Sequence, residues 1–352
     1  MTTSSSSSES SSLGTRHSSL TDTLSRPLHD LRISVTDRCN FRCTYCMPKE
    51  VFGRDYKFLA RDQILTFEEI ARVARVAVGL GVEKIRLTGG EPTVRNGLPD
   101  LVRMLAGIQG LRDLTMTTNA TLLPILAAPL REAGLSRITV SLDSLDDATF
   151  RAMNDVDFPV SRVIEGIEAA RAAGFAPIKI NAVIKRGVNE DAITELPAHF
   201  PGPDFIVRFI EYMDVGHTNG WRLDDVVPAT EIIERLNSTS PIAPADPNNQ
   251  GEVAKRWRNV EAGTEIGVVS SVTQPFCGDC TRLRLSADGN LYTCLFATRG
   301  HDLRTLLRNG STDEDLVAQL IGIWAKRKDR YSELRTAKTP DLPKVEMSYI
   351  GG

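Results

Sequence analysis

Cys39, Cys43 and Cys46 stand within eight residues, in the run Cys39-Asn40-Phe41-Arg42-Cys43-Thr44-Tyr45-Cys46. Thiols at the first, fifth and eighth positions can wrap one metal centre, and that spacing suits a loop closing round a cluster more than one face of a helix. An ordinary iron–sulfur cluster takes four cysteines, one per iron. Three leave one iron with a free coordination site, which catalysis requires. Zinc sites prefer pairs of short-spaced ligands, usually four in all, and this stretch has neither a fourth thiol nor a nearby histidine.

A second triad lies near the C-terminus: Cys277-Gly278-Asp279-Cys280, then Cys294 fourteen residues later. Between them Leu283 and Leu285 alternate with Arg282 and Arg284, Asp288-Gly289 offers a turn, and Leu291-Tyr292 returns. This is a hairpin pattern that carries Cys294 back beside the other two. A three-cysteine zinc site competes here with a second open cluster. Six cysteines in two triads, in a chain with no secretory apolar region, point to metal binding in a reducing compartment rather than to disulfides.

The glycines of Thr88-Gly89-Gly90-Glu91-Pro92 lack a Cβ, so that loop can bring bare main chain against a ligand. Lys84 and Arg86 are two apart in a strand pattern and share a side, as do Arg282 and Arg284. Arg32, Lys179 and Arg208 also fall within strand patterns. Charges on the inner face of a barrel are costly unless paired or wet. Several such cations in a chain of net charge −3 imply a polyanionic ligand. No G-x-x-x-x-G-K-[ST] loop is present, so a nucleotide would be held by Arg and Lys clamps.

The elements that must position these groups alternate in type. Strand patterns cover residues 31–36, 84–88, 114–118, 137–142, 177–184 and 205–210; helix patterns cover 66–79, 98–105, 122–133, 160–173 and 191–199. Thr66-Phe67-Glu68-Glu69 reads as a capping box. Six such units predict an α/β fold, an open partial (β/α)6 barrel of the TIM type with its active site at the C-terminal strand ends. Residues 26–220 are expected to form that barrel, and 221–352 a C-terminal α+β extension carrying the second triad. Residues 1–25, rich in Ser and Thr, are expected to be a disordered tail. At 41% hydrophobic and 25% charged the composition is globular. The slight negative charge gives no reason to expect nucleic acid, and no apolar run approaches a membrane span.

The first triad, with Tyr45 before its last cysteine, resembles the radical S-adenosylmethionine signature, and Gly89-Gly90-Glu91-Pro92 resembles the segment that holds that cofactor's amino group. Residues 31–40, 84–92, 209–213 and 277–284 and the closing Tyr349-Ile350-Gly351-Gly352 together resemble the GTP 3′,8-cyclases of molybdenum cofactor biosynthesis. The resemblance implies two [4Fe–4S] clusters, on Cys39, Cys43 and Cys46 and on Cys277, Cys280 and Cys294. It implies S-adenosylmethionine contacts at Tyr45, Gly90, Ser141 and Met213. GTP contacts would fall at Arg32, Arg86, Thr117, Lys179, Arg282 and Arg284, with Lys84 and Arg208 as neighbours. Arg32, Gly351 and Gly352 are the implied catalytic residues, the two glycines forming a tail that reaches the active site. The implied reaction removes hydrogen from ribose C3′ of GTP and joins that carbon to guanine C8, giving 3′,8-cyclo-7,8-dihydro-GTP. An external one-electron reductant, the next enzyme of the pathway (cyclic pyranopterin monophosphate synthase) as product acceptor, and a cytoplasmic location go with it. The oligomeric state stays open, a homodimer included.

Overall fold

The computed structural model describes residues 20–248, 251–335 and 343–351. Strands and helices alternate as β1 (Asp30–Ser34), α1 (Phe67–Gly79), β2 (Lys84–Thr88), α2 (Leu98–Ala106), β3 (Asp113–Thr118), α3 (Leu123–Glu132) and β4 (Arg137–Ser141). The series continues with α4 (Asp147–Asn154), α5 (Val160–Ala172), β5 (Ile178–Ile184), α6 (Ala192–His199) and β6 (Phe205–Glu211). Thr66 caps α1 as its sequence requires: its hydroxyl accepts from Glu69 N, and the Glu69 carboxylate accepts from Thr66 N. Ile70, Val73, Ala74 and Ala77 then face the sheet on one stripe.

Each strand divides its side chains between helices and lumen. Leu31, Ile33, Ile85, Leu87, Ile138 and Val140 are wholly buried, each contributing about 1.5–3 kcal/mol of hydrophobic stabilisation. Arg32, Arg86 and Lys179 alternate with such residues on the opposite face.

The parallel run is wider than the six strands expected. After α7 (Ala229–Thr239) come β7 (Ile242–Ala245), β8 (Lys255–Asn259), β9 (Glu265–Val269), β10 (Arg282–Leu285), β11 (Asn290–Tyr292) and β12 (His301–Asp302). The sheet order is β12-β11-β10-β1-β2-β3-β4-β5-β6-β9-β8-β7. Strand β10 lies parallel to β1, with Arg284 opposite Arg32, and β9 lies parallel to β6, with Gly267 opposite Arg208. The C-terminal third therefore widens both edges of the open barrel. The expected hairpin is β10–β11, with Arg284 opposite Tyr292 and Gly289 at φ +87° in the turn.

The disordered-tail expectation fails for residues 20–25, while residues 1–19 of that tail lie outside the described residues. The Asp22 carboxylate accepts from Leu24 N and Arg26 N and pairs with Arg26 Nε at 2.6 Å. The Thr23 hydroxyl donates to Arg327 O, and Arg26 Nη1 donates to Cys277 O and Asp329 O. Partly buried bonds to residues some 300 positions away, that of Arg26 charge-assisted, hold this segment, and local composition carries no trace of them. Helices α8 (Arg304–Arg308), α9 (Asp313–Ala325) and α10 (Met347–Ile350) complete the fold. Among the described residues no helix is long and apolar enough to cross a membrane.

Candidate active site

A cavity of about 320 Å³ opens at the C-terminal ends of the parallel strands, and all six cysteines line it. None of them is in a disulfide. Helix α4, which the sequence patterns miss, fixes the first triad: Arg42 N donates to Asn154 O at 2.9 Å and Thr44 N to Met153 O at 3.0 Å. Arg42 also clamps its own loop, donating from Nη1 to Cys39 O and Phe41 O and from Nε to Phe52 O. The glycine loop packs directly on this turn. Gly90 N donates to Thr36 O and Glu91 N to Arg38 O, each at 2.8 Å, and a Cβ on Gly90 would fall 2.2 Å from Arg38 O. Gly90 thus lines the cavity and lets two backbone segments touch.

Burial pushes the Cys39 thiol up to about 12. It raises Cys43 as well, helped by the neighbouring Cys39 and Cys46 sulfurs, and it raises Cys46, helped by the Cys39 sulfur and the Glu346 and Asp143 carboxylates. Three crowded, desolvated thiols become thiolates only with a cationic centre to replace their protons. In the second triad burial also lifts Cys294, to about 11. At Cys280 burial is outweighed by the guanidiniums of Arg282 and Arg327, which bring it down to about 6. Arg282 Nη2 lies 3.2 Å and Arg327 Nη2 3.1 Å from the Cys280 sulfur. Among the described residues no three thiol, imidazole or carboxylate side chains converge as they would on one bare ion. Each triad instead lines the cavity wall, a donor set of three thiols that suits a cluster, whose irons each take one ligand.

Tyr45, Gly90, Ser141 and Met213 line the same cavity. The Tyr45 hydroxyl donates to Asp143 Oδ2 at 2.7 Å. Burial raises Asp143 to about 6, against the bonds it accepts from Tyr45 and from Val183 N. Glu91 is more deeply held: 2% exposed, it accepts from Thr93 N, the hydroxyls of Thr93 and Thr118, and Asn119 N. Sequence reasoning passed over Glu91 and Asp143, although Glu91 stands inside Gly89-Gly90-Glu91-Pro92 and Asp143 only two residues after Ser141.

The cations gather in the lumen below. A second cavity of about 300 Å³, toward the N-terminal strand ends, shares Arg32, Arg86, Arg208, Val253 and Arg282 with the first. Lys84 and Lys179 line only the lower cavity, Thr117 and Arg284 only the upper one. Arg86 Nη1 donates to the Thr117 and Thr139 hydroxyls at 2.8 and 3.0 Å. Lys84 lies 3.6 Å from Asp113 and 3.9 Å from Asp30. Among the described residues the side chains of Arg32 and Lys179 have neither a hydrogen bond nor an ion pair. Burial pushes the Lys179 ammonium down to about 6, with Arg208, Arg137 and Lys84 repelling it further. Burial and then Arg284, Arg282 and Arg86 hold Arg32 well below its ordinary range. So many incompletely neutralised cations in one lumen make it a site for an anionic ligand.

Helix α10 brings the chain end to this lumen. Met347 and Ser348 line the upper cavity, and Gly351 O accepts from Arg284 Nη1. Gly351 has φ +74°, and a Cβ there would meet Thr88 Oγ1 at 2.1 Å, so only glycine fits. Gly352 lies outside the described residues.

Comparison with known proteins adds a family. The model of the radical SAM superfamily matches residues 33–197, and that of Molybdenum Cofactor Synthesis C matches residues 205–333. The GTP 3',8-cyclase of Acidothermus cellulolyticus is 54% identical, over 94% of this chain and 98% of that protein. That of Staphylococcus saprophyticus is 46% identical (95% and 99%), and that of Xanthomonas campestris pv. campestris 49% (94% and 97%). Among solved structures, Streptococcus suis SuiB bound to S-adenosylmethionine is similar with TM-score 0.57 and 18% identity, covering 90% of this chain and 72% of that one.

Proposed function

The chain belongs to the GTP 3′,8-cyclases of the radical S-adenosylmethionine superfamily, and from that membership we infer how its two cavities divide the work. It is an enzyme of molybdenum cofactor synthesis that converts GTP to 3′,8-cyclo-7,8-dihydro-GTP, using two [4Fe–4S] clusters and S-adenosylmethionine. When bound, these groups supply a one-electron reductive cleavage whose alkyl radical takes hydrogen from an unactivated C–H bond.

In our reading Cys39, Cys43 and Cys46 hold the first cluster, and Tyr45, Gly90, Ser141 and Met213 bound the S-adenosylmethionine beside it. Cys277, Cys280 and Cys294 hold the second cluster at the substrate. Arg32, Arg86, Arg208 and Arg282, with Lys84 and Lys179 beneath, take the triphosphate. Thr117 and Arg284 meet the nucleoside above, so the substrate lies in one orientation with its sugar toward the first triad. Arg32 and the Gly351–Gly352 tail complete the catalytic centre, the tail excluding water where Arg284 grips it. Residues 26–220 serve as the barrel that holds the first cluster and most of the triphosphate cations, and 221–352 add the second cluster with Arg282 and Arg284, the two parts meeting where β10 joins β1 and β9 joins β6.

One observation carries this reading: both cysteine triads line a single cavity whose floor is a set of arginines shared with a second, cation-rich cavity. An external one-electron donor and hand-over of the product to cyclic pyranopterin monophosphate synthase complete the proposal, in a cytoplasm reducing enough to keep the six cysteines out of disulfides and available to the clusters. Formation of 5′-deoxyadenosine by the anaerobic, reduced protein should depend on GTP; turnover indifferent to the nucleotide would overturn the assignment.

A further inference from the structure

Arg208 enters the lumen from β6 and Glu252 enters it from the segment before β8, and their side chains are 12% and 9% exposed. Arg208 Nη2 donates to Glu252 Oε1 at 3.3 Å, while Arg208 Nε is buried without a partner. The guanidinium passes beside Gly267, where a Cβ would come 3.0 Å from Arg208 Cγ, so the wall of β9 is cut back to admit it. The other Glu252 oxygen accepts from Asn248 N at 2.8 Å, which aims the carboxylate. Gly251 seats the segment: at φ +80°, a Cβ there would lie 2.9 Å from Asp279 O and 3.0 Å from Thr281 Cγ2, at the root of β10. Val253, the next residue, lines both cavities. A carboxylate is thus held among the cations that a triphosphate would need, against a guanidinium with donor capacity still unused.

We propose that Glu252 occupies a phosphate position beside Arg208 in the nucleotide-free protein, and gives it up when the triphosphate binds. The inference rests on the lumen being the triphosphate site and adds a residue that sets affinity there. A carboxylate and a phosphate oxygen repel each other across a poorly hydrated lumen, so binding must separate Glu252 from Arg208. The carboxylate keeps Arg208 neutralised while the site is empty, lowers ground-state affinity for the triphosphate, and re-pairs with Arg208 as the triphosphate-bearing product leaves.

Glu252→Gln, in the full chain with both clusters assembled anaerobically, separates this from a structural role. GTP should bind up to about tenfold more tightly, the scale of one partly screened charge removed. Guanosine should bind unchanged. The nucleotide-free variant should melt at a lower temperature, with buried Arg208 left only the more distant charge of Glu265, and saturating GTP should raise its melting temperature by more than in the parent. In an Arg208→Met background the Glu252→Gln effect on GTP affinity should shrink, because no ion pair is left to separate and only the carboxylate–phosphate repulsion remains. If Arg208→Met alone leaves GTP affinity unchanged, the triphosphate reading itself fails and the inference with it. If Arg208→Met weakens GTP but Glu252→Gln leaves its affinity unchanged or lower, the triphosphate reading stands and the role of Glu252 is overturned.

Discussion

Replacing Arg86 with methionine should separate binding from stability. Burial and the repulsion of Arg208 bring its guanidinium down from its ordinary range to about 10. At about 1.4 kcal/mol per tenfold change in proton affinity, holding the charge there costs on the order of 3 kcal/mol. The bonds from Nη1 to the Thr117 and Thr139 hydroxyls offset about 1 kcal/mol each. Methionine keeps most of the apolar stem and removes the charge, and the two hydroxyls can turn to cavity water. The empty variant should therefore be as stable as the parent or more stable by about 1 kcal/mol, a rise in melting temperature of about 1–2 °C at this chain length. GTP loses a charged contact worth about 1.5–3 kcal/mol, so its affinity should fall roughly ten- to over a hundred-fold while S-adenosylmethionine affinity holds. Differential scanning fluorimetry and anaerobic calorimetry read the two quantities. A melting point several degrees lower with GTP affinity unchanged would make Arg86 a structural residue and refute the reasoning.

Lys179, held down to about 6 by burial and its cationic neighbours, is mostly neutral at pH 8 in the empty protein. GTP binding should then take up close to one proton, seen as a dependence of binding enthalpy on buffer ionisation heat, and Lys179→Met should abolish the uptake; uptake that persists in the variant would assign the proton elsewhere. The unfolded chain binds the extra proton between about pH 6 and the ordinary lysine range, so Lys179 makes stability rise with pH across that window. Deleting Gly351 and Gly352 should leave folding, iron content and GTP affinity nearly intact while cyclised product falls sharply. Gly351→Ala should act in the same direction, through the clash at Thr88; full product from the truncated enzyme would make the tail an ordinary chain end.

Both chemistry-bearing loops were legible because they are local. The cysteine spacings, the Gly89–Gly90 pair after β2, the capping box at Thr66 and the two-residue periodicity of Lys84 and Arg86 each lie within one short window. Long-range pairing was not legible. Glu265–Val269 is apolar and β-branched enough to read as a strand, yet nothing local says that it extends β6 in parallel or that Gly267 makes room for Arg208. Hairpin β10–β11 was foreseen, but the β10–β1 pairing that sets Arg284 beside Arg32 was not, because it joins residues about 250 positions apart. Asp22 was lost in a serine-rich window, and the role of Arg26 just after it went unread, for the same reason: their partners are Cys277, Arg327 and Asp329. Helix α4 was missed because Asp147–Asn154 buries only Phe150, Met153 and Asn154, too short an apolar stripe to register as periodic.

GTP carrying deuterium at ribose C3′ tests the central claim most directly. The reduced, anaerobic protein with S-adenosylmethionine should move that deuterium into 5′-deoxyadenosine, with cyclised nucleotide formed in step. Deoxyadenosine free of the label, or formed equally well without GTP, would contradict the account.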